Sequence, residues 1–277
     1  MKKDLDLPQL LRSRLTVTAT NAALKAGHTI KRTLKSNMSF SVKKGRHNIV
    51  TETDKRVEEE IINTIKHQFP EHSFLAEESG ESGEKGNIRW IIDPIDGTLN
   101  YVHQVPLFCV SIAATFGSDI LAGIIYNPMT EELFIAEKDY GAYLNGEKLK
   151  VSQTAVLDSA ILSTSFPYNA HENPLNCLDH FTTFSKMGLP VRKIGSAALT
   201  LAYVAAGRYD AFWSSSLSPW DYAAGKLLLD EAGGQMRQFS DEPISSLDET
   251  SIIASNKVLH TQLLKNIQSK IGNTSSS

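Results

Sequence analysis

The chain has 277 residues, with 28 Lys and Arg against 31 Asp and Glu, for a formal net charge of −3. Its 41% hydrophobic and 21% charged residues are typical of a globular protein and exclude collagen-like, coiled-coil and disordered classes. The slightly acidic balance argues against a dedicated nucleic-acid binder, whose positive charge would have to counter phosphates. The two cysteines form no CxxC motif, which argues against a zinc knuckle or a thioredoxin-type site.

Two helices are predicted near the start of the chain. Leu, Ala and Ile recur at helical spacing over 8–36, and a second apolar face runs over 54–69 with Pro70 after its end. A short β segment is predicted over 48–51 between the helices, and a polar, glycine-rich loop over 79–87.

Strand-like runs dominate from there to about residue 150. They are predicted over 88–92, 108–116, 120–126 and 132–137, with a hairpin turn at Asn145-Gly146 between 142–144 and 149–151. Successive strands joined by short turns indicate an antiparallel sheet behind the two helices.

Beyond about residue 150, strands and helices alternate, which is typical of an α/β arrangement. The predicted strands cover 160–163, 210–213 and 251–255, and the predicted helices cover 174–187, 195–206, 219–232 and 257–270. We therefore expect 1–150 to hold the N-terminal helices and the antiparallel sheet with most candidate ligands. Residues 151–277 would form an α/β half that completes the site and the substrate pocket, within one compact catalytic unit.

We expect no secretory signal peptide at the N-terminus and no membrane span. No apolar core of a signal peptide follows Met1, and no apolar stretch approaches the ~20 residues that span a bilayer. A cytoplasmic protein without a membrane partner is expected.

Asp93 and Asp96 are the clearest candidates for chemistry. An apolar run delivers Asp93 to the end of a predicted strand, Pro94 fixes a turn, and Asp96 follows three residues later. Two carboxylates that converge on one point repel each other unless a cation lies between them, and oxygen ligands suit Mg²⁺. Gly97 then stands where a helix would begin, and free N–H groups at a helix start can hold phosphate. A β-turn with Asp at helix-capping positions explains the same residues equally well.

Three further acidic segments lie at boundaries between apolar runs and turns. They contain Glu77, next to Glu78, Asp54 in Val50–Asp54, and Asp221 in Ser218–Asp221. Taken singly, each has a structural explanation as a solvated loop or a helix cap. Taken together, the four segments are what a multi-metal hydrolytic site assembled from loops would need.

The sequence resembles the inositol monophosphatase family. The similarity runs from about residue 15 to 270 and is carried by Asp93-Pro94-Ile95-Asp96-Gly97-Thr98, Glu77-Glu78-Ser79, Val50-Thr51-Glu52-Thr53-Asp54, Trp220-Asp221-Tyr222-Ala223-Ala224-Gly225, Gly195-Ser196-Ala197-Ala198 and Glu231-Ala232-Gly233-Gly234. The resemblance implies a layered αβαβα sandwich of the inositol monophosphatase and fructose bisphosphatase type, of mixed α+β and α/β character. It also implies Mg²⁺-dependent phosphomonoester hydrolysis with two to three ions, inhibition by lithium, and a homodimer.

The resemblance also implies roles for individual residues. Glu77, Asp93 and the Ile95 carbonyl would bind a first metal, and Glu77 would help to hold a weaker third. Asp93, Asp96 and Asp221 would bind the second metal, and Asp221 would also contact the substrate.

The remaining roles concern water, phosphate and the alcohol part of the substrate. Asp54 and Thr98 would orient and deprotonate the attacking water, and the backbone N–H groups of Gly97 and Thr98 would hold the phosphate. The substrate pocket would be lined by Gly195, Ser196 and Ala197. Lys43 matches a basic position upstream of the acidic segment, where a solvated lysine is an equal explanation.

One departure bears on the substrate. Seven residues before the Trp-Asp aspartate, inositol-selective members of the family have a glutamate that binds ring hydroxyls, and this chain has Ser214. A serine is shorter and uncharged, so it cannot reach the same hydroxyls. The leading hypothesis is a phosphatase acting on a small phosphorylated polyol, inositol monophosphate first. Alternatives are fructose 1,6-bisphosphate, NADP, histidinol phosphate or 3′-phosphoadenosine phosphate, or a regulatory protein that binds the transcription machinery.

Overall fold

The structure is a computed structural model that describes residues 9–34, 40–42, 49–84 and 86–271. Within these ranges the α-helices are α1 (Gln9–Thr33), α2 (Glu52–Gln68), α3 (Thr98–Val102), α4 (Cys177–Lys186), α5 (Ala197–Ala205), α6 (Pro219–Glu231) and α7 (His260–Ile271). The first ten strands are β1 (Phe40–Val42), β2 (Ile49–Thr51), β3 (Ser73–Ala76), β4 (Gly80–Gly83), β5 (Ile88–Asp96), β6 (Cys109–Phe116), β7 (Asp119–Asn127), β8 (Glu132–Glu137), β9 (Gly141–Leu144) and β10 (Glu147–Lys148). The later strands are β11 (Leu162–Ser165), β12 (Val191–Arg192), β13 (Ala211–Ser214), β14 (Gln235–Arg237) and β15 (Ile252–Ser255).

Two larger sheets organise the described residues. The first has eight strands in the order β10-β9-β8-β7-β6-β5-β3-β4, and the second has five in the order β12-β11-β13-β15-β14. In the first sheet only the β3–β5 pair is parallel among the described strands. In the second sheet β11 runs parallel to both β12 and β13, and the other pairs are antiparallel. A separate ribbon pairs β1 with β2.

The alternation of side chains along single strands explains the layers, because successive residues of a strand point to opposite faces. Val110, Ile112 and Ala114 of β6 join the core beneath α1 and α2, whereas Cys109 and Ala113 join the core shared with α5 and α6. In β13, Phe212 faces this second core, and Trp213 faces a third core with residues of α4 and α7. Helix pair, sheet, helix pair, sheet and helix pair therefore alternate, which confirms the expected αβαβα arrangement.

The second of these cores contains residues from both sides of position 150. It joins residues of the first sheet, such as Ile125 and Phe134, to α5 and α6 and to Phe212 and Ile252 of the second sheet. The division into 1–150 and 151–277 stays a prediction. Among the described residues no helix combines the length and the apolar character that a bilayer crossing needs.

Most predicted elements occur within a few residues of their expected bounds, but three expectations were wrong. The loop expected over 79–87 contains β4, which lacks apolar residues because it is the exposed edge of the sheet. The hairpin strand expected over 149–151 is β10, because the two-residue turn at Asn145-Gly146 pairs Glu147 directly with Leu144. The first sheet is not wholly antiparallel, since β3 lies parallel to β5.

Candidate metal centre

A β-bulge in β5 brings Asp93 and Asp96 to the same face of the sheet. Asp93 lies opposite Ser111 of β6 and Asp96 opposite Cys109, so β5 advances three residues while β6 advances two. Residues three apart in a regular strand would point to opposite faces, and the extra residue of the bulge restores the match. Pro94 lies inside the bulge and has no register partner on β6, so a residue without an N–H is tolerated there.

Asp221 reaches the same point from another element. One carboxylate oxygen from each of Asp93, Asp96 and Asp221 lies within 4.8 Å of the others. Asp93 and Asp96 are buried, and Asp221 is half-buried in the first turn of α6. This all-oxygen donor set fits a hard divalent cation such as Mg²⁺.

Burial disfavours the ionised forms of all three carboxyl groups, and repulsion from neighbouring carboxylates adds to this effect at Asp93 and Asp221. Burial is the largest cause that raises the pKa of Asp93 well above its usual range, followed by repulsion from Glu77, Asp96 and Asp221. Burial and then repulsion from Asp96 raise the pKa of Asp221 in the same way. Burial also raises the pKa of Asp96, although hydrogen bonds to its carboxylate act in the opposite direction. A bound cation would reverse this balance by stabilising the ionised forms.

The hydrogen bonds to Asp96 come from the start of α5. Its Oδ2 accepts from the Ser196 hydroxyl at 2.6 Å and from the Ala198 N–H at 2.7 Å. Ser196 is the N-cap of α5, and its Oγ also accepts from the Leu199 N–H at 3.3 Å. The positive end of a helix therefore stabilises a carboxylate that burial would otherwise protonate. The Cys109 thiol, which is fully buried, lies 3.8 Å from the same oxygen.

Asp221 acts as a helix cap as well as a member of the cluster. Its Oδ2 accepts from the Ser218 N–H at 2.7 Å, which completes a capping box at the start of α6. Ser111 of β6 donates to the Trp220 carbonyl at 3.1 Å and so attaches this helix start to the sheet. The capping and ligand interpretations are therefore compatible at this residue.

Glu77 stands beside the cluster at the end of β3. Its backbone N–H donates to the Ile92 carbonyl at 3.1 Å, so it continues the pairing of β3 with β5 past the last strand residue. The half-buried Glu77 side chain bonds with Asp93 and contributes to the raised pKa of Asp93 and of Asp221.

A second network connects α2 with the residues after the bulge. Asp54 is fully buried and accepts from the backbone N–H and the hydroxyl of Thr51, the N-cap of α2, with the N–H at 2.9 Å. The Thr98 hydroxyl lies 3.1 Å from Asp54 Oδ1 and 3.1 Å from the Ile95 carbonyl. Burial raises the pKa of Asp54 to about 6, with hydrogen bonds from Thr51 and Thr98 opposing it and repulsion from Glu78 adding to it.

The backbones of Gly97 and Gly195 lie close together. Both have positive φ, 98° and 82°, and a Cβ on Gly97 would lie 3.2 Å from the Gly195 carbonyl oxygen. Asn100 fixes this contact by donating to the Leu107 carbonyl at 2.6 Å and to the Ile194 carbonyl at 2.8 Å. The segment predicted to hold phosphate is therefore attached to the segment predicted to line the alcohol pocket.

The residues predicted to line the substrate pocket differ in their exposure and in the hydrogen bonds of their side chains. The hydroxyl of Ser196, 3% exposed, is directed to Asp96, and Ala197 is 7% exposed. Ser214 is fully buried, and its hydroxyl accepts a hydrogen bond from Ser165 Oγ at 2.9 Å. The same hydroxyl also contacts the backbone carbonyl and N–H of Ser216. A substrate-binding role for Ser196 and Ala197 stays a prediction, and Lys43 lies outside the described residues.

Sequence reasoning missed two polar residues beside the site. Glu58 is 3% exposed, although it stands in a run of three glutamates that is typical of a solvated helix face. Its spacing of four from Asp54 was the available signal, because residues four apart share a helix face. Asn100 gave no comparable signal, since one of its two carbonyl partners, Ile194, comes from a segment far away in the sequence.

Comparisons with known proteins point in one direction. The sequence model of a family described as "Inositol monophosphatase family" matches residues 11–271. The chain is 39% identical over 261 residues to the inositol-1-monophosphatase of Mesorhizobium japonicum, covering 94% of this chain and 98% of that protein. It is 40% identical over 256 residues to the Nus factor SuhB of Pseudomonas aeruginosa, covering 90% and 94%. The crystal structure of the extragenic suppressor protein suhB from Bartonella henselae superposes with a TM-score of 0.85 at 36% identity, covering 92% and 98%.

Removing one charge from the cluster should change stability in opposite directions with and without metal. In EDTA we expect Asp93→Asn to unfold at a higher temperature than the wild type, because it relieves the repulsion described above. Mg²⁺ at about a hundred times its dissociation constant should stabilise the wild type by about 2.7 kcal/mol, which corresponds to on the order of 5 °C. The variant should gain much less.

Differential scanning calorimetry in EDTA and in Mg²⁺ measures both effects, with the exposed Asp158→Asn as the charge-matched control. Equal Mg²⁺-induced shifts in the wild type and Asp93→Asn would contradict a cation site at this cluster.

Proposed function

The chain belongs to the inositol monophosphatase family, and from that premise we propose that it hydrolyses the monoester of a small phosphorylated polyol with Mg²⁺ at the Asp93–Asp96–Asp221 cluster. The enzyme is a phosphoric monoester hydrolase of this family. The observation that carries the proposal is the convergence of three carboxylates within 4.8 Å, two of them buried. Carboxylates this close together and this buried can all stay ionised only if a cation compensates their charge.

Two to three ions would be held by the residues already described. Glu77, Asp93 and the Ile95 carbonyl form one proposed set of ligands, and Asp93, Asp96 and Asp221 form the other, with Glu77 extending to a weaker third ion. Bound Mg²⁺ would polarise the phosphate and lower the pKa of a bound water.

Thr98 and Asp54 would orient the attacking water and take up the proton that it loses. A water that donates to Thr98 Oγ would be aligned by a hydroxyl that itself donates to Asp54, 3.1 Å away. Asp54, with a pKa raised to about 6, is ionised at neutral pH and is basic enough to take up the proton. The N–H groups of Gly97 and Thr98 would hold the phosphate, and Gly195, Ser196, Ala197 and Asp221 would contact the alcohol.

Inositol monophosphate is the first substrate we propose. The surroundings of Ser214 are the reason for proposing other substrates beside it. The Ser214 hydroxyl bonds with Ser165 and is fully buried, so it offers no charged acceptor to a sugar ring. Fructose 1,6-bisphosphate, NADP, histidinol phosphate and 3′-phosphoadenosine phosphate are therefore tested beside it. We also propose inhibition by lithium, a homodimer and a cytoplasmic location.

A regulatory role is a second candidate, favoured by the 40% identity to a protein named Nus factor SuhB. The acidic cluster does not exclude it, since a chain with an intact cluster can carry both roles.

Phosphate release from the five compounds, with Mg²⁺ and with or without lithium, tests the proposed function. We expect release from at least one compound and inhibition by lithium. Asp221→Asn should lower kcat/KM by roughly a hundredfold or more, because a lost metal ligand removes several kcal/mol of transition-state stabilisation. Asp230→Asn, at the other end of α6, is the matched control and should retain activity. If the wild type releases phosphate from none of them, the catalytic proposal fails and the regulatory candidate takes its place.

The pH dependence of kcat/KM tests the role of Asp54. Protonation removes the acceptor for the water's proton, so the rate should fall as pH drops through about 6. We expect Asp54→Asn to leave a low residual rate without this acid limb, measured between pH 5 and 9 at saturating Mg²⁺. A wild-type profile that stays flat down to pH 5, or a variant with the same limb, would show that Asp54 is not the base.

A further inference from the structure

Glu58 is a buried carboxylate that belongs to none of the roles assigned so far. It lies one helical turn after Asp54 on the buried face of α2, among Val57, Ile61 and Ile62, and is 3% exposed. An ionised carboxylate on an apolar helix face is destabilising unless it is well hydrogen-bonded. Its partners therefore indicate what it is for.

Both oxygens of Glu58 bind the turn that follows Glu77. Oε2 accepts from the Glu78 N–H at 2.8 Å, and Oε1 accepts from the Ser79 N–H at 2.9 Å. On the other side, the Glu77 N–H donates to the Ile92 carbonyl of β5. The backbone around Glu77 is thus held from two directions, by β5 before it and by α2 after it.

A carboxylate suits this position better than any other side chain. Two consecutive N–H groups require two acceptors, and an ionised carboxylate has two oxygens and no donor. Glutamine would offer one acceptor and place its NH₂ group against the second N–H. Aspartate keeps both acceptors but is one methylene shorter.

The position of the turn that contains Glu77 and Glu78 affects the pKa values of the carboxyl groups in the site. Glu77 raises the pKa of Asp93 and of Asp221, and Glu78 raises that of Asp54. A movement of the turn would change the distance of Glu77 from the cluster and of Glu78 from Asp54 together. The two hydrogen bonds to Glu58 therefore influence both the distance of Glu77 from the cluster and the distance of Glu78 from Asp54.

We propose that Glu58 is a positioning residue that fixes the Glu77 carboxylate at the metal cluster through the backbone of Glu78 and Ser79. The inference rests on the proposed function, because it assigns Glu77 to metal binding. Glu58 touches no reacting atom, and its effect is expressed in the affinity for Mg²⁺. A partner that orients a ligand in this way typically changes metal affinity or activity by about 10–100-fold.

The test compares Mg²⁺ binding by Glu58→Gln and the wild type, by calorimetric titration without substrate and by the Mg²⁺ dependence of phosphate release. We expect the variant to need about tenfold more Mg²⁺ for half-saturation, with kcat at saturating Mg²⁺ changed less than the affinity. Glu58→Asp should lie between the two. Glu59→Gln, on the exposed face of the same turn, is the matched control and should equal the wild type.

A double-mutant cycle separates positioning from a general loss of stability. If Glu58 acts through Glu77, Glu58→Gln should add little to the loss of Mg²⁺ affinity already caused by Glu77→Gln. Additive losses, or an unchanged Mg²⁺ affinity in folded Glu58→Gln, would overturn the inference. Should Glu58→Gln fail to fold, as judged by circular dichroism, Glu58→Asp in the same cycle decides the question. A wild type without Mg²⁺-dependent phosphate release would instead overturn the proposed function.

Discussion

Electrostatic repulsion among buried carboxylates is the constraint around which this structure is built. Asp93, Asp96 and Asp221 converge within 4.8 Å, and burial raises the pKa of each. Such an arrangement is unfavourable in the chain alone and becomes favourable when a divalent cation is bound. The surrounding structure therefore has to hold three mutually repelling groups in place before a cation compensates their charge.

Rigid elements rather than loops resist that repulsion. The bulge of β5 lies within an eight-stranded sheet, the N-terminus of α5 binds Asp96, and the capping box of α6 fixes Asp221. Helix α6 packs on the sheet very closely, because a Cβ on Gly123 of β7 would lie only 2.9 Å from the Ala224 carbonyl oxygen. Sites supported by helices and strands are held more tightly than sites on loops, which is what a metal clamp requires.

The sequence predicts which carboxylates form the site, and the layered fold, better than it predicts the hydrogen bonds and strand register that hold them together. Asp93, Asp96 and Asp221 stand at boundaries between apolar runs and turns, and hydrophobic periodicity identifies the longer helices and most strands, but not the five-residue helix α3. The bulge is not visible in this pattern, because it depends on the register between β5 and β6. Glu58 and Ser196 were not predicted in their structural roles, since each depends on a partner from a segment that sequence patterns cannot bring near.

The central claim, that the carboxylate cluster is a cation site, is tested most directly by anomalous diffraction from crystals soaked in Mn²⁺, a stand-in for Mg²⁺ that scatters strongly. The account predicts one peak enclosed by Asp93, Asp96 and Asp221 and a second beside Glu77, Asp93 and the Ile95 carbonyl, at the roughly 3.5–4 Å separation of two-metal sites. Well-ordered crystals without a peak at the cluster, or with Mn²⁺ bound only elsewhere, would contradict it.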